Sequence, residues 1–220
     1  MTDNILTLDI DHLLESPSFV DEQTYLDSYA AHHFEWVEGR LIRLSPLARA
    51  HHQLDGYLFM LLTAYFTLRP LGEVLRHPFI LKLSSMKRFR EPDLMVILKS
   101  NPNQATNTQM IGAPDICIEI ISPESVERDT VDKLREYEAG GVTEYWLFDP
   151  AKQTSRFYRL DTSRHYQEVL PDATGNYATP LLPDLKLHVP TLWQTPLPDI
   201  FAIVRMVEGM LTSTLPNNAP

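Results

Sequence analysis

Three segments near the middle of the chain decide the fold. They are R-E-P-D-L-M-V-I-L at residues 90–98, D-I-C-I-E-I-I-S-P at residues 115–123, and E-R-D-T-V-D-K-L-R-E-Y-E-A-G-G-V-T-E-Y-W-L-F-D-P at residues 127–150. Short apolar runs rich in β-branched and aromatic residues are typical of strands, and the charged stretch at 129–139 has helical spacing. Together the segments predict a strand, a loop, a strand, a helix and a strand.

The middle strand contains an acid where an apolar residue is expected. Side chains alternate along a strand, so the isoleucines at 116, 118 and 120 point to one face, and Cys117, Glu119 and Ile121 to the other. Both faces are mostly apolar, as in a central strand covered on both sides. A carboxylate there is costly unless a cation or hydrogen-bond donors meet it. The sequence therefore predicts a metal or a lysine beside Glu119.

The predicted helix supplies a candidate lysine. It is predicted to begin near Asp129, a good N-cap, and to end at Gly140 and Gly141. Lys133 lies at the edge of the apolar arc of this helix, beside Tyr137. Its apolar stem can pack while the ammonium reaches toward the sheet and Glu119.

The flanking regions predict further elements of one domain over residues 1–220. They are a helix at 21–31, two strands joined at Glu38–Gly39, and a long helix opened by Ser45–Pro46 with His51 on its apolar stripe. Strands follow at 73–83, and residues 101–112 read as a loop. We expect a core at about 34–150. Hairpins over 151–210 extend the same sheet, and a last helix follows at 198–211.

Composition narrows the function classes. The chain has 220 residues, a net charge of −10 and a single cysteine, Cys117, so no internal disulfide forms and a reducing cytoplasm is expected. The longest apolar run, at 58–66, is too short to cross a bilayer, and the N-terminus does not resemble a secretory signal. The negative charge argues against nucleic-acid binding through the overall field. A local strip of Lys87, Arg88 and Arg90 could still bind DNA, or it is a solvated hairpin loop.

The motifs together resemble those of a known family. E-P-D-L-M-V-I, I-E-I-I-S-P and the segment from 129 to 150, with F-E-W-V-E-G-R-L and L-S-P before His51, resemble the Uma-two family of restriction-endonuclease-like proteins. That family belongs to the PD-(D/E)XK nuclease superfamily, and the likeness covers about residues 34–150. It implies an α/β (α+β) fold with a restriction-endonuclease-like core, a central mixed sheet flanked by helices, and C-terminal β-hairpins.

The resemblance also implies a metal site. Asp93, Glu119 and the backbone carbonyl of Ile120 would hold magnesium or manganese, whose hard character suits oxygen ligands. Lys133 would position the attacking water or neutralise charge in the transition state. Glu35 would contact the metal through water.

Two further features qualify this assignment. His51 matches a recurrent histidine and is a candidate for substrate binding. The superfamily usually has its lysine two residues after the acid, and that position here is Ile121, which is why the role passes to Lys133.

Each of these residues has a simpler interpretation. Asp93 could cap the start of a strand, and Glu119 could form a structural ion pair with Lys133. Lys133 itself could be solvated, Glu35 could lie on a hairpin surface, and His51 could be a core histidine.

Three functions fit the sequence. The leading one is a metal-dependent endonuclease that hydrolyses DNA phosphodiester bonds, acting as a homodimer where both strands are cut. The second is a catalytically silent binding or scaffold module with a nuclease fold, which the acidic composition favours. The third is a metal hydrolase for a small phosphoester.

Overall fold

The computed structural model describes residues 19–44, 48–83, 86–103 and 105–212, so the predicted helix start at Ser45–Pro46 lies outside the described residues. The helices are α1 (Glu22–Ser28), α2 (Arg49–Leu68), α3 (Lys133–Gly140) and α4 (Ile200–Thr212). The strands of the first half are β1 (Phe34–Val37), β2 (Arg40–Arg43), β3 (Gly72–Arg76), β4 (Ile80–Lys82), β5 (Arg88–Arg90), β6 (Leu94–Leu98) and β7 (Gln109–Ile111). Those of the second half are β8 (Ile116–Ile120), β9 (Glu144–Asp149), β10 (Thr154–Leu160), β11 (Tyr166–Glu168), β12 (Asn176–Ala178) and β13 (Lys186–His188).

A six-stranded mixed sheet with the order β11-β10-β9-β8-β6-β3 forms the centre of the fold. Strands β8 and β9 are parallel, with Ile118 beside Trp146, because helix α3 returns the chain to the same end of the sheet. Strand β6 runs antiparallel to β8, with Leu94 opposite Ile118. The predicted α/β fold with a central mixed sheet is confirmed.

Each face of this sheet packs into a separate hydrophobic cluster. Ile116, Ile118 and Ile120, on one face of β8, join a cluster with α2 and α4, which includes Leu58 and Ile203. Cys117 lies in a cluster on the opposite face that includes Tyr137 of α3. Both faces of β8 are therefore covered, as the sequence predicts, and Glu119 points to the α3 side.

A second sheet, with the order β2-β1-β5-β4-β7, lies beside the first and carries Glu35 on β1. Its hairpin turns at Glu38 and Gly39, both with positive φ, as predicted. The segment 101–112 is not a continuous loop, because β7 within it pairs in parallel with β4. This strand has three residues and only Met110 is buried, so its sequence is too short to show the alternation that predicts a strand.

Two further predictions on local structure are wrong. Asp129 is not an N-cap, because its N–H already donates to Ser125 O at 2.8 Å and the residue lies within a π-helical segment, Arg128–Asp132, that precedes α3. Strands β10 and β11 do extend the central sheet, but β12 and β13 form a separate two-stranded sheet.

Within the described residues, no helix combines the length and apolar character that crossing a bilayer requires.

Candidate active site

A cavity of about 520 Å³ opens where the start of α2, the π-helical segment and the adjoining ends of β6 and β8 meet. Charged side chains contribute much of its lining: Arg43, Glu91, Asp93, Glu119, Arg128, Asp129 and Lys133. Five of the eight histidines also line it: His32, His33, His51, His52 and His77. These residues come from segments that are far apart in the sequence, so tertiary packing assembles the cavity.

Asp93 and Glu119 come together through strand register. Asp93 directly precedes β6, and the pairing of Leu94 with Ile118 continues to place Asp93 opposite Glu119. Asp93 Oδ2 accepts a hydrogen bond from Ile120 N at 2.7 Å, which fixes the carboxylate against the end of β8. Both acids line the cavity.

His51, in the first turn of α2, contacts the same oxygen of Asp93. Its Nε2 lies 3.2 Å from Asp93 Oδ2, and the ring is buried. Burial lowers the pKa of His51, but the hydrogen bond and charge of Asp93 outweigh this and raise it. His51 therefore lies on the apolar stripe of α2 and also in the cavity, so the two interpretations of its role are compatible.

Lys133, the first residue of α3, is buried rather than at the border of the apolar arc of the helix. Its Nζ lies 2.8 Å from Glu119 Oε1, 3.3 Å from Glu35 Oε1 and 3.4 Å from Asp129 Oδ1. Burial lowers the pKa of Lys133, but the charges of Glu119 and Glu35 outweigh it and raise the pKa, so the ammonium persists. The contact with Glu119 is the one expected from the sequence.

Two side chains, Tyr137 and Lys133, contact the same oxygen of Glu119. Tyr137 OH donates to Oε1 at 2.7 Å, beside the Lys133 contact. Burial raises the pKa of Glu119 to about 8, and the charges of Asp129 and Asp93 add to this although Lys133 opposes it. A carboxylate crowded by other acids is the environment that a bound cation stabilises.

Glu35 lies behind Lys133 and does not line the cavity. The side chain is 0% exposed, and Oε2 accepts a hydrogen bond from Arg90 Nη1 at 2.8 Å while Oε1 accepts one from Glu91 N at 3.1 Å. Burial raises the pKa of Glu35, but Lys133 and Arg90 outweigh it and lower the pKa to about 2. Glu35 Oε1 also lies 3.3 Å from Lys133 Nζ, and its contact with a metal through water stays a prediction.

The three residues of the predicted DNA-binding strip, Lys87, Arg88 and Arg90, differ in their exposure and in their partners. Arg90 is 2% exposed, and its Nε and Nη2 each lie 2.8 Å from an oxygen of Glu136, so the guanidinium binds buried carboxylates and does not face solvent. Arg88 pairs with Glu136 at 2.8 Å and with Glu38 at 3.2 Å. Lys87 is exposed but does not line the cavity.

Two arginines that the sequence did not single out do line the cavity. Arg43 is exposed at the end of β2, and Arg128 is half-buried in the π-helical segment. Arg128 Nε lies 3.9 Å from Glu35 Oε2 and from Asp129 Oδ1, too far for a hydrogen bond. No motif marks these arginines, because their approach to the cavity depends on how β2 and the π-helical segment pack.

The acids retain oxygens suited to a hard divalent cation. In the described part of the chain, no hydrogen bond or ion pair engages Asp93 Oδ1 or Glu119 Oε2. Asp129 Oδ1 is buried without a hydrogen-bond partner. Carboxylate oxygens in a cavity that admits water are the ligands that magnesium and manganese prefer. The residues present therefore fit a metal of this class.

Comparison with known proteins agrees with this description. The Uma2 family, described as "Putative restriction endonuclease", matches residues 22–190. A crystal structure of a putative nuclease belonging to DUF820 from Anabaena variabilis ATCC 29413 aligns with a TM-score of 0.60 and 19% identity. The alignment covers 73% of this chain and 89% of that one, and it shows a shared fold. No curated protein matches the sequence. The profile match spans most of the chain, which therefore belongs to the Uma2 family.

Proposed function

We propose that this protein is a metal-dependent endonuclease that hydrolyses phosphodiester bonds in DNA. The observation that carries the proposal is the pairing of Asp93 and Glu119 at one cavity, with Lys133 Nζ 2.8 Å from Glu119. Two acids at adjacent strand ends with a lysine beside them are the arrangement expected of the PD-(D/E)XK superfamily. Membership of the Uma2 family supports the nuclease chemistry, and the cavity supports the choice of residues.

Magnesium or manganese would be held by Asp93, Glu119 and the carbonyl oxygen of Ile120. When bound, the metal would stabilise charge on the scissile phosphate and lower the pKa of a water molecule. His51 and Ile120 N both contact Oδ2 of Asp93. These contacts fix the orientation of the carboxylate and leave Oδ1 available to a ligand. The acid is thus oriented before a ligand arrives.

Lys133 has two tasks in this proposal. It orients Glu119 and favours its ionised form, because an ammonium 2.8 Å away stabilises the carboxylate. It also supplies positive charge beside the cavity, where a reaction at phosphate builds negative charge. Glu35 and Arg90 are positioning residues, because they contact Lys133 or each other rather than the cavity.

Arg43 and Arg128 are proposed to contact the phosphates of the substrate. Both line the cavity, and neither makes a close ion pair with an acid among the described residues. The overall charge of −10 opposes DNA binding at long range, so a local contribution of this kind is needed. Cutting both strands together favours two active sites, so we expect a homodimer, which sedimentation in the presence of DNA would detect.

The test is cleavage of supercoiled plasmid with magnesium or manganese, compared across Asp93→Asn, Glu119→Gln and the exposed control Glu127→Gln. We expect activity in the wild type and the control and its loss in both site variants. Calorimetric titration with manganese should show binding that the site variants lose.

The same experiment separates the other functions. Manganese binding without cleavage of any substrate would favour a silent binding module with a nuclease fold. Hydrolysis of a chromogenic phosphodiester without cleavage of plasmid would favour a small-phosphoester hydrolase. Equal cleavage by the wild type and Glu119→Gln would mean that this cavity is not the catalytic site.

A further inference from the structure

A second cluster of ligand-type side chains lies in the same cavity. His33, His77 and Glu91 each offer a ligand atom, and these atoms all lie within 4.8 Å of one another. The two imidazole rings have centroids 5.8 Å apart and are tilted by 44°. Three ligand atoms this close can converge on one ion after small side-chain adjustments.

The backbone at each of the three residues is fixed. His33 O accepts a hydrogen bond from Leu44 N at 2.9 Å, and His77 N donates to Asp93 O at 3.0 Å. Glu91 N donates to Glu35 Oε1 at 3.1 Å. His33 also has a left-handed conformation, with φ of 59°, at the junction between a 3-10 turn and β1. Residues outside helices and strands rarely converge in this way without such support.

Glu91 provides an independent indication of a ligand. Its side chain is 0% exposed, yet neither carboxylate oxygen has a hydrogen-bond partner among the described residues, and the imidazole nitrogen His77 Nδ1 lies 3.6 Å from Oε2. A buried carboxylate without donors is costly. Glu35, which is also fully buried, is by contrast paired with Arg90 and Lys133. The described residues around Glu91 supply no cation close enough to offset its charge, so a bound cation would stabilise it.

We propose that His33, His77 and Glu91 form a second metal site, which binds a divalent transition-metal ion of the zinc class. Two imidazoles and one carboxylate suit zinc, cobalt and related ions, whereas magnesium prefers oxygen ligands and retained water. Three protein ligands leave a coordination position open to the cavity, as in catalytic zinc sites. This site is distinct in chemistry from the oxygen-only pair Asp93 and Glu119, and its existence does not depend on nuclease activity.

Cobalt(II) alone is the first probe, because its visible absorption reports ligand type and geometry, and zinc should displace it. The wild type is compared with His77→Gln, Glu91→Gln and the control His165→Gln, an exposed histidine outside the cavity. We expect the affinity for cobalt to fall by more than about tenfold in the first two variants and to be unchanged in the control. Absence of cobalt binding in the wild type, or equal affinity in wild type and His77→Gln, would overturn the proposal.

Two further measurements separate this site from its alternatives. An Asp93→Asn, Glu119→Gln double variant should keep the cobalt spectrum while losing manganese binding; loss of both would assign the cobalt to the oxygen-only pair and overturn the proposal. In metal-free protein, Glu91→Gln should not lower the melting temperature, because it removes an uncompensated buried charge. A lower melting temperature with unchanged cobalt affinity would instead assign Glu91 to a structural ion pair with His77.

Discussion

Lys133 Nζ lies 2.8 Å from Glu119 Oε1, and the same ammonium lies 3.3 Å from Glu35 and 3.4 Å from Asp129. One cation therefore offsets part of the charge of three buried acids that come from β1, β8 and the π-helical segment. The side chain joins the two sheets as well as serving the cavity. Loss of its charge should affect the stability of the protein and its activity separately.

The first prediction concerns stability. Lys133→Met keeps the apolar stem but leaves buried carboxylates without their cation, which typically costs about 3–5 kcal/mol. We expect a loss of this size in the free energy of unfolding, measured by urea denaturation. Arg135→Met, an exposed change on the same helix, is the control and should alter it by less than about 0.5 kcal/mol. Similar values for the two variants would show that Lys133 does not support the fold.

The second prediction concerns catalysis through Lys133. Where Lys133→Met remains folded, plasmid cleavage should be lost, while manganese binding persists because Asp93 and Glu119 are intact. The reason is that the lysine stabilises charge in the reaction without being a ligand. Full cleavage by the folded variant would contradict this role.

Tyr137→Phe tests how the orientation of Glu119 matters. The phenol donates to Glu119 Oε1 at 2.7 Å, and a typical intramolecular hydrogen bond contributes about 0.5–1.5 kcal/mol. We expect lower stability by this amount and slower cleavage, with the fold retained. Tyr158→Phe is the matched control, because its hydroxyl accepts a bond from the exposed Arg156. Unchanged cleavage in Tyr137→Phe would show that Lys133 alone positions Glu119.

The local pattern of the sequence predicted much of the fold. The alternation around Glu119 correctly separates the two faces of β8, because both faces are covered by apolar layers. The stripe on α2 and the turn at Glu38–Gly39 follow from periodicity and from turn chemistry. What failed depended on neighbours in space: β7 exists because it pairs with β4, and Asp129 lies within a π-helical segment because the helix begins earlier.

The exposure of the charged residues also could not be predicted from the sequence. Arg90 and Lys87 look alike in the sequence, yet one is buried between Glu35 and Glu136 and the other is exposed. Whether a cation meets solvent depends on which strand covers it, and no periodic pattern records that. The cluster of His33, His77 and Glu91 was missed for the same reason, because its members lie far apart along the chain.

Arg43 and Arg128 line the cavity whereas Arg90 is buried, and this difference leads to a prediction on DNA binding. Arg43→Gln and Arg128→Gln should each reduce the salt dependence of binding by about one unit of slope, as expected when one phosphate contact is lost. Arg90→Lys should leave the slope unchanged, because this side chain faces carboxylates. Binding is measured over a salt series with a catalytically inactive Asp93→Asn background. An unchanged slope in both cavity variants would mean that another surface binds DNA.

A last prediction separates a structural acid from a site acid. Glu144 begins β9 and, like Glu119, is a buried acid on a strand of the central sheet. Its carboxylate accepts hydrogen bonds from four side chains: Trp146, Tyr177, Thr179 and Arg159. An amide at this position turns an NH₂ group toward donors, and each unsatisfied buried group costs about 1–3 kcal/mol. We therefore expect Glu144→Gln to lower the free energy of unfolding and to leave the manganese affinity of the folded protein unchanged. Glu119→Gln should abolish manganese binding, because it removes a proposed ligand. The two variants differ by the same atoms on adjacent strands, so loss of metal affinity in Glu144→Gln would show that the effect is not specific to the cavity.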